Sequence, residues 1–322
     1  MNGNQHGFVL IVVLWVLAIL TIVTVGFGHR AVLDQKVAAY SLDHAQALIL
    51  ARSAVQRGIV SMRNKAIKDM AMAQMSQGRG HTEPPMTHYG QKWAKPQDLL
   101  KESENLFDSE RFAEGDSVRV FIEDENSRLN INAAPLELIE EVEALDRRVK
   151  RRIRVRRTTG LREEEGRNPF HAIEELRYIR GVDEEDWYGT DDEPGLVDLF
   201  TCEGNKLINI NTASRAVLET IPDLDKKAIN AILAYRAGGD GELKTGDDHG
   251  FSSFVNLTDA TGIVDKNLGA LRKLAMFNST TFRIRGVATL RRGKIRATVT
   301  AVVTIGNGTA SIRSWREEPL GT

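Results

Sequence analysis

The apolar positions change their spacing along this chain, and each spacing predicts a different element. Residues 8–27 (FVLIVVLWVLAILTIVTVGF) carry no charge and are diluted only by Thr21, Thr24 and Gly26. At about 1.5 Å of helix rise per residue the run is roughly 30 Å long, the thickness of a bilayer core, so it predicts a membrane span. From Leu33 the apolar positions recur every three or four residues: Leu33, Val37, Tyr40, His44, Leu48, Ala51, Val55, Ile59, Met62. That rhythm puts one stripe on one helix face, interrupted only by His44. The first proline is Pro84, so one helix is predicted from Phe8 to about residue 75, half in lipid and half amphipathic in water. A membrane helix followed by a separate core helix fits the same pattern.

Farther on, residues 117–122 (SVRVFI) alternate Val118, Val120 and Ile122 on one side, as a half-buried strand does. Stretches of this kind recur at 282–290, 294–305 and 309–315, with Arg291-Arg292-Gly293 and Gly306-Asn307-Gly308 between them as hairpin turns. A sheet begun near 117 and completed after 281 has a globular segment inserted in it, which the close-lying ends of inserted domains permit. The expected division is a helix at 8–75, a sheet domain at 76–122 and 282–322, and an inserted helical domain at 123–281. The fold class expected is α+β: a long N-terminal helix on a small antiparallel sheet, with a large all-α insert. Residues 76–97 are rich in Gly, Pro and polar residues and read as a loop, with His81 and His88 as solvated side chains lacking a third metal ligand.

The insert repeats itself at an offset of 79: Leu129-Asn130-Ile131-Asn132 aligns with Ile208-Asn209-Ile210-Asn211, Ile153 with Ile232, and Arg157 with Arg236. The copies, about 129–200 and 208–281, each predict a capped short helix, a turn, and a helix ending in Arg. They share a later element, at 170–176 (FHAIEEL) and 251–257 (FSSFVNL). The unit 209–236 resembles a helix-hairpin-helix, which in DNA-binding versions brings Gly-x-Gly amides up to a phosphate. Here the turn is Pro222-Asp223-Leu224-Asp225-Lys226, and in the first copy Glu143-Ala144-Leu145-Asp146. Carboxylates repel phosphate and their Cβ atoms hinder close approach, so both units are read as structural helix pairs.

Composition adds few constraints. With 42% hydrophobic residues in 322, the chain has material for real cores in two or three domains. Its 43 basic and 44 acidic residues create no global field toward nucleic acid or an anionic surface. Locally, 147–157 (RRVKRRIRVRR) places eight positive charges in eleven residues. As a helix it has one buried edge and a basic exterior, which neighbouring acids at 137–146 and 163–165 are read as neutralising. An anionic protein or lipid partner and nucleic acid are the alternatives. The lone Cys202 makes no intrachain disulfide. Glu123-Asp124-Glu125, Asp191-Asp192-Glu193, and Asp240 with Asp247 and Asp248 form acidic clusters. None fits the D-x-[DN]-x-[DN]-G calcium loop, and each is read first as a solvated turn. Without a G-x-S-x-G, P-loop or H-E-x-x-H motif, no enzyme is read here.

The leader MNGNQHG lacks Lys and Arg, the apolar run is too long, and no A-x-A site follows, so a secretory signal peptide does not fit. Charge leaves the orientation of the span open. Gly7-Phe8 after a short polar leader, the uncharged span and its amphipathic continuation resemble a type IV pilin-like protein. In that family a prepilin peptidase cuts after the glycine and methylates the new N-terminus. The resemblance therefore implies 1–7 as leader, Gly7 as its last residue and Phe8 as the first mature one. The family's usual Glu at the fifth mature position is Val12 here, which suits a subunit at a filament's end.

The insert, with N-I-N-T-A-S at 209–214 and F-x-x-x-E-E-L-R at 170–177, resembles the K-type minor pseudopilins of type II secretion. That implies a single-pass protein of the bacterial inner membrane with its C-terminal domain in the periplasm. It would initiate or cap the pseudopilus at its tip, with other minor pseudopilins and the inner-membrane secretion platform as partners. Leu33, Val37, Tyr40, Leu48 and Val55 would line its assembly helix. Calcium is the one cofactor the resemblance admits, with Glu123, Asp124, Glu125, Asp240, Asp247 and Asp248 as candidate ligands. The alternative is a membrane-anchored helix-hairpin-helix protein for DNA binding or uptake.

Overall fold

A computed structural model describes residues 5–76, 84–102, 112–143, 145–163, 169–191 and 193–318. Leader residues 1–4, His81, Ala144, Glu164, Glu165 and Asp192 lie outside the described residues. Helix α1, Gln5–Ser76, is a single uninterrupted helix of 72 residues, about 110 Å long, so the two-helix alternative does not apply. Within residues 8–27, Thr21 and Thr24 turn their hydroxyls back onto the carbonyls of Leu17 and Leu20, so neither leaves an open donor on the apolar surface. This is the one helix among the described residues long and apolar enough to cross a membrane, with a mean hydropathy of 3.1 in its most apolar window.

The stripe after the span divides. Ala47, Leu50, Ala51, Ala54, Val55, Ile59 and Met62 are buried, at the spacing of one helix face. Leu33, Val37 and Tyr40, on the same sequence rhythm, are exposed. Periodicity identifies a face, but only the sheet's position decides how much of it is covered.

Strands β1 (Gln97–Asp98) and β2 (Ser117–Asp124) precede the insert. Strands β3 (Leu129–Asn130), β4 (Phe200–Thr201), β5 (Ile208–Asn209) and β6 (Ala275–Met276) lie within it. Strands β7 (Thr281–Leu290), β8 (Ile295–Gly306) and β9 (Thr309–Glu317) follow. The main sheet has the order β1-β2-β7-β8-β9, antiparallel throughout. Its inward positions (Val118, Val120, Ile284, Ala288, Val299, Ala301, Val303) close one core with α1. The approach is tight: a Cβ on Gly286 would stand 2.2 Å from the Ala51 carbonyl oxygen, so β7 requires glycine there. The β8–β9 turn carries Asn307 and Gly308 at φ 50° and 71°, the left-handed pair that matches strand twist. β1 extends the sheet just where the sequence reads as loop, because it borrows its partners from β2.

The insert holds the short helices α3 (Leu136–Glu140), α5 (Glu184–Tyr188), α6 (Leu196–Leu199) and α7 (Arg215–Glu219) and the longer α4 (Arg147–Glu163), α8 (Lys226–Arg236), α9 (Phe254–Thr261) and α10 (Asp265–Leu274). A one-turn α2 (Leu99–Glu102) belongs to the sheet side. Each repeat closes on itself through a parallel pair absent from the sequence reading: β3 with β4, β5 with β6. The repeat extends to single atoms. Asn132 clasps the backbone of Phe170, donating to its carbonyl and accepting from its N–H, and Asn211 does the same to Phe251. Arg157 Nη1 donates to Ala134 O at 2.8 Å, and Arg236 Nη1 to Ala213 O at 2.7 Å. Both copies contribute to one apolar core, separate from that of the sheet.

Candidate functional site

α1 presents Phe8, Val12, Leu33, Val37 and Tyr40 to the outside. Gly7 lies in its first turns. Leu48 is half-buried and Val55 fully buried, so Val55 serves the chain's own sheet rather than a partner. Two exposed ion pairs hold α1 to the sheet. Asp43 meets Arg291 in the β7–β8 turn at 2.7 Å, and Arg52 grips Glu317 at the end of β9 through two bonds of 2.7 and 2.8 Å. Arg52 and the indole of Trp315 depress the Glu317 carboxyl to about 2.

The acidic triplet at the end of β2 is the junction between the two cores. Asp124 is buried and accepts from Ser279 Oγ (2.6 Å), Thr212 Oγ1 (2.6 Å), Asn209 Nδ2 (2.8 Å) and the Asn126 N–H (2.9 Å). Burial pushes its carboxyl up, against the pull of those four donors. Glu125, equally buried, accepts from Arg283 Nε at 2.5 Å and from the Thr201 hydroxyl. Glu123 receives Arg128 at 3.0 Å, which outweighs burial and holds its carboxyl low. Asp124 therefore ties the second repeat to the sheet and Glu125 ties the first. Sequence reading missed this because the donors that join the insert to the sheet lie 76 to 158 residues away, and adjacent acids look the same whether solvated or latched.

Asp247 accepts from the Gly239 and Asp240 N–H groups and the Thr245 hydroxyl, and Asp248 from the Lys244 N–H. These carboxylates brace their own loop, and no group of three or more His, Cys, Asp or Glu side chains is gathered for a metal among the described residues. Among the described residues, the candidate carboxylates are engaged by backbone and side-chain donors of their own surroundings. His88 is half-buried rather than solvated, and burial lowers its pKa. Cys202, half-buried beside Glu175 and Glu203, is pushed up to about 12, mainly by burial, and is no nucleophile at neutral pH.

The turn between α7 and α8 puts Asp223 at φ 67°, the left-handed conformation glycine favours. Asp223 pairs with Lys266, while Asp225 caps α8 through the Ala228 N–H. A phosphate approaching this turn meets two carboxylates. Helix α4 buries Val149, Ile153 and Arg157 and exposes most of its other basic side chains.

No protein-family model matches the chain. It is 29% identical over 164 residues to the type II secretion system protein K of Pseudomonas aeruginosa, an alignment that covers 51% of this chain and 42% of that relative. The matched region is thus less than half the length of the curated relative. Among solved structures, the GspK-GspI-GspJ complex of the enterotoxigenic Escherichia coli type 2 secretion system contains a chain 14% identical to this one. The match has a TM-score of 0.46 and covers 82% of this chain and 96% of that one. The chain is thus similar, over about half of its length, to a named type II secretion system protein K.

Proposed function

We propose that the chain is a minor pseudopilin that initiates or caps a type II secretion pseudopilus at its tip. It crosses the inner membrane once and carries its C-terminal domain in the periplasm. The observation that carries the reading is α1 itself. A carboxylate-free apolar span runs without a break into a half that packs on a sheet, and Val12 stands where a repeating subunit would need Glu. The insert is too bulky to repeat along a thin filament, which suits an end position. The similarity to type II secretion system protein K supports the choice of system. Other minor pseudopilins would pack along Leu33, Val37 and Tyr40, the exposed part of the stripe. The prepilin peptidase and the inner-membrane platform are the further partners.

The test is the mature N-terminus after expression with the peptidase. Mass spectrometry is expected to find methylated Phe8; an intact Met1 overturns the reading. The DNA-uptake alternative has one observation in its favour, the basic exterior of α4. Against it stand Asp223 and Asp225 at the turn. Tight binding of duplex DNA in a low-salt gel shift would revive it.

A further inference from the structure

The outer face of α4 is more basic than its fold requires, and the chain contains its own comparison. The offset of 79 sets residues 147–157 beside α8 at 226–236. The same positions are buried in both: Val149 and Ala228, Ile153 and Ile232, Arg157 and Arg236. The outward positions differ. Arg151, Arg152 and Val155 stand where α8 has Asn230, Ala231 and Ala234. Eight of the eleven residues are basic in the first copy and three in the second, so the packed unit forms without the added charge.

That charge is only partly met within the chain. Arg154 reaches Glu140 and Arg156 reaches Glu175. Arg147, Arg148 and Arg151 have no carboxylate among the described residues. Arg147 and Arg151, and Arg148 and Arg152, are like charges one turn apart, an arrangement that destabilises a helix by itself. Val155, 56% exposed, lies among them, at the rim of a shallow groove of about 710 Å³ that also includes Arg148, Arg156 and Pro169.

We propose that this face docks an acidic segment of a partner protein, with carboxylates on Arg148 and Arg151 and an apolar side chain against Val155, while Arg152 is held by the Arg180 carbonyl. Guanidinium groups pair with carboxylates in a planar fork and so favour such a segment. The bilayer holding α1 is out of reach. The insert leaves β2 at Asp124, the end of the sheet where Ile67 of α1 lies against the Gly308 turn. From Phe27 to Ile67 the helix climbs about 60 Å. Asp146 caps the N-terminus of α4, accepting from the Val149 N–H at 2.7 Å, and nucleic acid is an outcome that the test distinguishes. This inference stands independently of the secretion role.

The test places p-benzoylphenylalanine at Val155 in the full chain, within cells that make it natively, with the same probe at Ala234 as control. Illumination is expected to give a protein adduct from position 155 that maps to an Asp/Glu-rich peptide, is lost in Arg148→Glu/Arg151→Glu and retained in Arg148→Lys/Arg151→Lys, and is absent from position 234. Both arginines are exposed, so the reversed variant keeps its fold, which circular dichroism checks. A lipid or nucleic-acid adduct, no adduct at 155, or one that survives charge reversal overturns the proposal.

Discussion

Arg236 shows what a single residue does inside the insert. It is buried, it donates to Ala213 O, and its guanidinium lies 5.8 Å from the ring of Tyr89, whose hydroxyl donates to Thr212 O. Burial lowers its pKa to about 10, so the protein holds this cation less easily than water does. Two effects oppose on substitution. Arg236→Met relieves a desolvated charge but orphans a carbonyl, for a net loss of about 1 kcal/mol. Arg236→Ala adds a cavity and is expected to lose about 3 kcal/mol. Urea midpoints of the two variants measure the difference. The sequence aligned this arginine with Arg157, but spacing does not say that either points inward; the Ala134 and Ala213 carbonyls decide it.

At the scale of elements, the contact between α1 and the sheet is set by small residues. Gly286→Ala would drive a methyl into backbone, which cannot yield, and is expected to destabilise by about 2–3 kcal/mol. Gly58→Ala meets the Ile284 Cγ2 at 2.6 Å, a side-chain atom that can shift. The gain in helix propensity, about 1 kcal/mol, offsets the crowding there, so Gly58→Ala is expected to be near neutral. Thermal unfolding of both variants tests the contrast.

The Arg52–Glu317 pair adds a pH dependence. The Glu317 pKa is depressed from 4.5 to about 2, so its contribution is complete above 4.5 and is lost as pH falls through that interval. The stability gap between the wild type and Glu317→Gln should therefore be flat above 4.5 and close toward 2. It should also shrink with salt, because the pair is exposed. A gap that widens in acid would show the sign to be wrong. Strand alternation and turn residues made these elements legible in sequence; the α1–sheet spacing, which depends on Gly286 facing Ala51 across some 235 residues, was not.

Across the whole molecule, two apolar cores are coupled through a polar latch in which Asp124 holds the second repeat and Glu125 the first. Asp124→Ala leaves Asn209, Thr212 and Ser279 without their acceptor and is expected to cost about 3–5 kcal/mol. Calorimetry should then resolve separate transitions for sheet and insert where the wild type gives one. Asp124→Asn, which retains an acceptor oxygen, should fall between the two. Unchanged, single-transition melting of Asp124→Ala would mean that the apolar contacts alone join the cores.

The sequence by itself determined what is local or repeated: the span at 8–27, the rhythm of one continuous helix, the alternation of the strands and the duplication at an offset of 79. Each follows from spacing, because side-chain direction repeats with the period of the backbone. Only the tertiary structure decided which part of the stripe is covered, that Glu123, Asp124 and Glu125 form a junction rather than a solvated turn, and that Arg148 and Arg151 of α4 meet no carboxylate among the described residues. Those outcomes depend on partners far apart in the chain, and spacing along a sequence carries no information about what arrives from elsewhere to meet a given face.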